Sequence, residues 1–268
     1  MEQEPTIIKE IGGYLSVDEH GFIVKVASPE KFQETWKPVI EEIKKVYLEN
    51  FGEKIHSIYI RGSVAKGEAV EGISDVDSFA VVRNKEDEVD ESILEGLETQ
   101  IENKFPFVQG AEMGVISLGR LDNRSSFKMM IKTQAVCIYG EDLSNEIAPY
   151  KIDKGLFIHS HNLEKSITST IKGLEEMQDK SEIEEKCRWI MKNILRSGCE
   201  IVITRSQKYT RDLYPCYKVF AEYYPEHEAE MKEVLTLAIS PTEDKEKIVE
   251  VLERFGSWMI EESKLQNK

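Results

Sequence analysis

The sequence has few cysteines, a shortage of basic residues and no long apolar run. Its 268 residues include 4 Cys, 35 Lys+Arg and 50 Asp+Glu, which gives a net charge of -15. The cysteines show neither CxxC nor metal-ligand spacing, and this predicts free structural thiols in the cytoplasm. No apolar stretch reaches the length of a membrane span, and the N-terminus lacks the basic and apolar regions of a signal peptide.

The shortage of basic residues limits the classes of partner. Duplex nucleic acids are bound through Lys and Arg contacts to phosphate, so a net charge of -15 argues against a nucleic-acid partner. An acidic cleft concentrates cations instead, and the charge is therefore compatible with metal ions or a positively charged substrate. No pattern in the sequence indicates an oligomeric state.

Composition and length together predict two domains. With 40% apolar and 32% charged residues the chain is globular, and 268 residues exceed the usual size of one domain. β-rich runs alternate with helical patterns up to about residue 150, and only helical patterns follow. We therefore predict an α/β (α+β) domain over residues 1–150 and an all-α helical bundle over residues 151–268.

Local patterns predict the individual elements. β-rich runs predict a hairpin over 13–26 and strands over 55–61, 76–82, 107–118 and 134–139. Apolar spacing of three and four residues predicts helices over 87–103, 154–178, 182–205, 211–223, 226–238 and 243–264, with Ser181 and Ser240 as N-caps. Another helix opens at Ser28-Pro29, where Pro38 either kinks it or moves its start to residue 37.

Residues 58–82 carry the most informative pattern. A strand ends at Arg61, Gly62-Ser63 follows, and Asp75-Val76-Asp77 opens the next strand. Positions 75 and 77 share one face of a strand, so their carboxylates repel unless a cation such as Mg²⁺ lies between them. Gly62 lets a ligand approach the backbone, and Ser63 offers a hydroxyl and an N–H to phosphate. This combination indicates phosphoryl or nucleotidyl transfer.

Gly-Ser followed about a dozen residues later by Asp-x-Asp resembles the nucleotidyltransferase superfamily related to DNA polymerase β. The resemblance implies a small mixed β-sheet with helices. It also implies transfer of a nucleoside monophosphate from an NTP to a hydroxyl, with release of pyrophosphate. It assigns the nucleotide to Gly62, Ser63 and Ser74, and it makes Asp75 and Asp77 the catalytic ligands of two Mg²⁺ ions.

The same family places a third carboxylate on a later strand, where it binds metal or takes the proton from the acceptor hydroxyl. Glu112 lies in the β-rich run over 107–118 and matches that place, as both a catalytic and a metal-binding residue. Asp122 is the alternative. The resemblance aside, Glu112 would be interpreted as an exposed residue on a strand edge.

The second half narrows the resemblance to aminoglycoside adenylyltransferases of the streptomycin/spectinomycin type, and the phrase IYGEDL over 138–143 agrees with it. In those enzymes an Arg and a Lys of the helical domain bind the phosphates. Arg196 and Lys208 match these places, with Arg205 and Arg211 as alternatives. Each of these cations would otherwise be interpreted as solvated charge at a helix end.

Three further features receive structural interpretations. His159 and His161 are two residues apart on a predicted helix and share no face, so we interpret them as surface or interdomain residues. Arg61 and Lys66 flank Gly62-Ser63; either could steady a phosphate, but surface charge is the simpler interpretation. The acidic residues between 222 and 230 form either a solvated face or a site for a cationic acceptor.

The sequence thus predicts a Mg²⁺-dependent transferase that moves a nucleoside monophosphate from an NTP, with AMP from ATP as the first choice, to a hydroxyl of a small acceptor such as an aminoglycoside. One alternative keeps the chemistry but modifies RNA or protein, as toxin-like relatives do. Another is a nucleotide-binding protein without catalysis. The negative net charge argues against an RNA acceptor. The presence of both Asp75 and Asp77 argues against a protein that has lost catalysis. Neither base preference nor antibiotic resistance is encoded in these patterns.

Overall fold

The computed structural model describes residues 7–83, 93–121 and 124–267. These residues form two compact units. The sheet unit is Ile23–Pro149, and the helical unit combines residues 7–22 with residues 150–267. The compact unit around the sheet therefore begins at Ile23, whereas the predicted first domain began at residue 1.

The sheet unit is built on a mixed sheet. Its strands are β1 (Ile55–Arg61), β2 (Val76–Val82), β3 (Ala111–Ser117) and β4 (Val136–Gly140). The described strands lie in the order β3-β2-β1-β4; β2 and β3 run parallel, and the other pairs are antiparallel. This arrangement confirms the mixed sheet that the resemblance implied.

Helices cover both faces of the sheet. They are α1 (Lys37–Phe51), α2 (Gly62–Lys66), α3 (Leu94–Lys104), α4 (Leu118–Leu121) and α5 (Ser125–Thr133). Ile58 and Ile60 of β1 pack in one core with apolar residues of α1 and α3, whereas Tyr59 packs in a second core with Met130 and Ile131 of α5. Successive strand residues point to opposite faces, so burial on both sides explains the unbroken apolar runs of β1 and β2.

The beginning of the sheet unit corrects two sequence expectations. Helix α1 begins at Lys37 with Pro38 in its first turn, as the Pro38 alternative predicted, and Pro29–Lys31 forms only a 3-10 turn. The hairpin over 13–26 is wrong. Bonds form only at its tip, where the Asp18 carbonyl accepts the Gly21 N–H and the Phe22 carbonyl accepts the Asp18 N–H. Beyond the tip the chain bonds elsewhere, because Leu15 bonds to Tyr209 and Phe22 also pairs with Lys151.

The helical unit contains α6 (Leu163–Glu176), α7 (Lys180–Ile201), α8 (Ile203–Ser206), α9 (Leu213–Tyr223), α10 (Glu228–Ile239), α11 (Lys245–Val251) and α12 (Ser257–Gln266), with a π-helical turn at Leu252–Gly256. The predicted N-caps are wrong. Asp179 caps α7 and Asp244 caps α11, because each carboxylate accepts a backbone N–H group of the first turn.

No described helix is long and apolar enough to cross a membrane. All four cysteines carry free thiols.

The N-terminal segment of residues 9–17 packs on the helical unit. The Gly13 N–H donates to the Asp212 carboxylate at 3.0 Å, and the Gly13 carbonyl accepts the Thr210 hydroxyl at 2.7 Å. The Leu15 N–H donates to the Tyr209 carbonyl at 2.8 Å. These bonds explain why residues 7–22 belong to the helical unit and not to the sheet unit.

Candidate active site

The Gly-Ser motif and the carboxylates lie at one end of the sheet. β1 ends at Arg61, and Gly62 and Ser63 form the first residues of α2. Arg61 is paired in register with Asp77 of β2, and Asp77 is paired with Glu112 of β3. Strand pairing therefore places three charged side chains in one row across β1, β2 and β3.

Gly62 lies directly against Asp77. A Cβ atom at Gly62 would clash with Asp77 Oδ2, and the φ of Gly62 is +73°. The sequence predicted that this glycine allows the close approach of a ligand. In the structure, the group that approaches its backbone is the carboxylate of Asp77, so Gly62 is needed to bring the motif and the carboxylate together.

The two serines of the predicted site differ in their hydrogen bonding. Ser63 Oγ is buried and has no hydrogen-bond partner among the described residues, which is an uncommon state for a buried hydroxyl and suits an incoming phosphate oxygen. Ser74 Oγ accepts the Val70 N–H at 2.9 Å and thus stabilises the loop that leads to β2. A direct contact of Ser74 with a nucleotide stays a prediction.

Arg61 connects the two carboxylates of the row. Its Nη2 atom lies 2.9 Å from Asp77 Oδ1 and also donates to Glu112 Oε1. The Asp77 side chain is 12% exposed, and that of Glu112 is 66% exposed. The interpretation of Arg61 as surface charge is therefore wrong, because its side chain is 25% exposed and bridges two site residues.

The surroundings of Asp77 favour its protonated form. Burial raises the pKa of the Asp77 carboxyl to about 7, and the positive charge of Arg61 acts in the opposite direction. The negative charges of Asp75 and Glu112 raise this pKa further, as does a hydrogen bond to Glu112. A bound cation would stabilise the charged form of a carboxyl group with this pKa.

Two of the three predicted metal ligands are bonded to Arg61. Asp75 is exposed and precedes β2, whereas Asp77 and Glu112 share the Arg61 guanidinium. In residues 7–83, 93–121 and 124–267, no three His, Cys, Asp or Glu side chains are arranged to hold a metal ion. Carboxylate oxygens are nevertheless the donors that Mg²⁺ prefers, so the chemistry of Asp75, Asp77 and Glu112 suits this ion. The alternative ligand, Asp122, lies outside the described residues.

The cations predicted to bind phosphate belong to the helical unit. Lys208 Nζ pairs with Glu222 at 3.2 Å and lies 5.2 Å from the centre of the Tyr14 ring. Arg196 Nε donates to the Arg211 carbonyl at 3.4 Å. Arg205 stacks on two aromatic rings, Tyr223 and Tyr224. A contact of any of these cations with phosphate stays a prediction.

A buried contact between an imidazole and a carboxylate in the helical unit was missed. Glu200 of α7 is fully buried, and its carboxylate accepts the backbone N–H groups of His159 and Ser160. The Nδ1 atom of His159 lies 2.7 Å from Glu200 Oε1, while burial lowers the pKa of the His159 imidazole. The interpretation of His159 as a surface residue is therefore wrong. The available signal was a Glu within the apolar stripe of α7.

The acidic residues between 222 and 230 have partners within the helical unit. Glu222 pairs with Lys208, and Glu230 lies 3.5 Å from His227 Nδ1. Glu228 accepts the Tyr217 hydroxyl at 2.8 Å. These contacts give three of the carboxylates structural roles, and a site for a cationic acceptor on this face stays a prediction.

Comparison with known proteins adds three findings. The family model described as "Nucleotidyltransferase domain" matches residues 40–190, which is more than half of the chain. No curated protein sequence matches the chain. Among solved structures, the chain is similar to a spectinomycin adenyltransferase, AAD(9) from Enterococcus faecialis, with ATP and spectinomycin; identity is 14%, the match covers 85% of this chain and 98% of that chain, and the TM-score is 0.48.

Proposed function

Because the chain belongs to the nucleotidyltransferase domain family, we propose that it transfers AMP from ATP to a hydroxyl group of a small acceptor and releases pyrophosphate. The family makes the protein a transferase of the nucleotidyltransferase class. The nucleotide, the metal ion and the acceptor are the parts that we propose here. We place the reaction in the cytoplasm, where four free thiols stay reduced.

The contact between Gly62 and Asp77 carries this proposal. The Gly-Ser motif, which we propose binds phosphate, lies beside a carboxylate, and Glu112 is next to Asp77 in the strand register. Ser63 adds a buried hydroxyl that has no hydrogen-bond partner in the part of the chain that the structure describes. A triphosphate held at Gly62-Ser63 would therefore lie beside the carboxylates that carry the metal ions.

In this proposal the residues of the sheet unit bind and orient the reactants. Gly62 and Ser63 hold the triphosphate, and Asp75, Asp77 and Glu112 hold the divalent cations. Mg²⁺, when bound, neutralises charge on the triphosphate and on the leaving pyrophosphate. The acceptor oxygen forms a bond to the α-phosphorus, and the bond from that phosphorus to the oxygen bridging to the β-phosphate breaks.

The acceptor hydroxyl must lose its proton during transfer. We assign the proton to Glu112, whose side chain is 66% exposed at the edge of the row and so can be reached by an acceptor. Asp77 is 12% exposed and is less accessible to an acceptor. Arg196 and Lys208 of the helical unit would supply positive charge to the phosphates, with Arg205 and Arg211 as alternatives.

An aminoglycoside is the acceptor class that we propose. The net charge of -15 favours the approach of a cationic molecule and disfavours RNA. The sequence resemblance to streptomycin/spectinomycin-type enzymes points to the same class. The acceptor would then receive AMP on one of its hydroxyl groups.

Calorimetry on nucleotide binding tests the metal site. Titration of wild type with ATP and Mg²⁺ is expected to show metal-dependent binding, and Asp77→Asn is expected to lose most of it. Glu71→Gln is the matched control, because Glu71 is an exposed carboxylate on the loop before β2. Unchanged metal-dependent binding in Asp77→Asn would refute the assignment of the site.

Transfer of label from [α-³²P]ATP tests the acceptor. We expect labelled aminoglycosides in a panel that includes streptomycin and spectinomycin, and at least ~100-fold slower labelling by Glu112→Gln if it acts as base. Lys208→Gln is expected to raise the KM for ATP, with Lys218→Gln, an exposed lysine of α9, as control. Label on RNA or protein alone would overturn the small acceptor, and ATP binding without any labelling would overturn catalysis.

A further inference from the structure

The guanidinium of Arg61 lies between two carboxylates, where a metal ion would be expected to bind. One nitrogen, Nη2, lies 2.9 Å from Asp77 Oδ1 and is also hydrogen-bonded to Glu112 Oε1. A single positive group between two carboxylate oxygens occupies the place that a divalent cation would need. The guanidinium and the metal ion therefore require the same oxygen atoms.

Strand register makes this contact a built feature of the sheet unit. Arg61 is the residue opposite Asp77 on β1, and Asp77 is opposite Glu112 on the parallel neighbour β3. The Arg61 side chain is 25% exposed and that of Asp77 is 12% exposed, so solvent screens their attraction less than it would on an open surface. Removal of a partner from such a pair is costly because it leaves a charge without compensation.

We propose that Arg61 competes with the divalent cation for Asp77 and Glu112 and thereby makes metal binding depend on the triphosphate. This inference rests on the proposed function. A metal ion that takes the two carboxylates releases the guanidinium, which then needs another anion. The nearest assigned anion is the triphosphate at Gly62-Ser63, because Asp77 Oδ2 lies against Gly62 while Oδ1 bonds to Arg61. Guanidinium groups bind phosphate well.

Arg61 is thus a positioning residue that exchanges one anionic partner for another. Metal and nucleotide then bind cooperatively, because the binding free energy of each is more favourable when the other is already bound. Thermodynamic linkage requires the same factor in both directions. Charge-assisted hydrogen bonds of this kind correspond to about 10-fold to 100-fold in a binding constant.

Mn²⁺ binding followed by electron paramagnetic resonance measures this competition directly, with no need for turnover. Wild type is expected to bind Mn²⁺ weakly alone and more tightly with a non-hydrolysable ATP analogue. Arg61→Gln is expected to bind Mn²⁺ alone about 10-fold more tightly than wild type. The affinity of this variant for the analogue should fall. The factor by which the analogue increases Mn²⁺ affinity should decrease towards one.

Arg83→Gln is the matched control, because it removes the same charge from an exposed position just after β2, at the end opposite Asp77. It is expected to behave as wild type. Arg61→Lys keeps the positive charge that compensates Asp77, so it remains informative should Arg61→Gln not fold. Because its ammonium group lacks the planar fork of the guanidinium, we expect metal affinity between those of wild type and Arg61→Gln.

The possible results separate this inference from the proposed function. The inference alone would be overturned if wild type shows nucleotide-dependent Mn²⁺ binding but Arg61→Gln binds Mn²⁺ no more tightly than wild type. If Arg61→Gln does not fold, the same comparison is made with Arg61→Lys. Failure of wild type to bind Mn²⁺ with the analogue, or unchanged binding by Asp77→Asn, would overturn the proposed function as well. Loss of the coupling only at Arg61 would support both.

Discussion

At the scale of single residues, the site depends on a glycine that gives space to a carboxylate. Gly62 has a left-handed φ of +73°, and the position of its absent side chain is taken by Asp77 Oδ2. The sequence motif located both residues, but not their contact. Two separate penalties, backbone strain and a steric clash, therefore apply to any substitution at Gly62.

Gly62→Ala is expected to lower the free energy of unfolding by about 3 kcal/mol or more and to abolish nucleotide binding. Gly72→Ala isolates the backbone part, since Gly72 has a φ of +74° but no described atom lies within 4 Å of its Cβ position. It should cost about 1 kcal/mol. Urea unfolding measures both values. Equal losses in the two variants would show that the contact with Asp77 is unimportant.

Asp77 also makes stability depend on pH. Its pKa in the folded protein is raised to about 7, whereas an unfolded Asp titrates near 3.9. Below pH 4 the group is protonated in both states. Between pH 4 and 7 the unfolded chain releases the proton while the folded protein keeps it, so the contribution of Asp77 to stability falls as pH rises and stays constant above 7.

Asp77→Asn should remove this dependence. Without divalent metal, the variant is expected to become more stable relative to wild type between pH 4 and 8, by up to about 4 kcal/mol. Thermal or urea unfolding in the presence of a chelator measures the difference at each pH. Glu71→Gln, at an exposed position, should follow wild type. A constant difference between wild type and Asp77→Asn would contradict the raised pKa.

At the scale of elements, α1 and α3 hold the edge strand that carries Glu112. The carboxylates of Glu98 and Glu102 in α3 accept the N–H groups of Met113 and Ala111, at 2.7 and 3.0 Å. The buried Tyr47 of α1 donates its hydroxyl to the Gly114 carbonyl at 3.0 Å. Side chains thus satisfy backbone groups of β3 that would otherwise be free at a sheet edge.

Tyr47→Phe tests this support of β3. Loss of the hydroxyl leaves the Gly114 carbonyl and the hydroxyl of Ser78, 3.2 Å away, without this partner in a buried place. We expect a loss of about 1–3 kcal/mol in the free energy of unfolding and faster amide exchange in β3. Tyr139→Phe, at a tyrosine with 42% exposure, is the control and should change little. Unaltered exchange in β3 would contradict the role of Tyr47.

Elements with strong periodic or apolar signals were predictable from the sequence. β1 and β2 were confirmed at Ile55–Arg61 and Val76–Val82, because burial of both faces gives continuous apolar runs. Short elements were missed: α2 has five residues and α4 has four, too few for a helical period. Helix α5, with nine residues, was missed as well. The hairpin over 13–26 was wrong because its flanks bond to distant parts of the helical unit.

At the scale of the whole molecule, the sequence located the motif residues but not their neighbours. Gly62, Ser63, Asp75 and Asp77 follow from one linear pattern. The contact of Arg61 with Asp77 and Glu112 depends on strand order, since β3 pairs with β2 only after a long connection. Such a pairing leaves no local signal in the chain, and therefore Arg61 was interpreted as surface charge.

The helical unit is assembled from two segments that are far apart in the sequence. Segment 9–17, from the start of the chain, is bonded to the loop before α9 through Gly13 and Leu15. The Tyr14 hydroxyl donates to the Pro215 carbonyl at 3.2 Å, and the Tyr14 ring lies beneath Lys208. The N-terminal segment thus orders the loop that carries one of the predicted phosphate-binding residues.

Deletion of residues 1–16 should therefore affect the helical unit and not the sheet unit. Hydrogen exchange is expected to become at least ~10-fold faster at amides 208–216, because four hydrogen bonds to this region are lost. Amides of β1 and β2 should keep their protection. Thr210→Val in the full chain removes one bond to the N-terminal segment, together with the bond from the Asp212 N–H, and should give a smaller effect over the same amides. Equal protection of 208–216 in the truncated and full chains would show that α7 and α9 order this loop without the N-terminal segment.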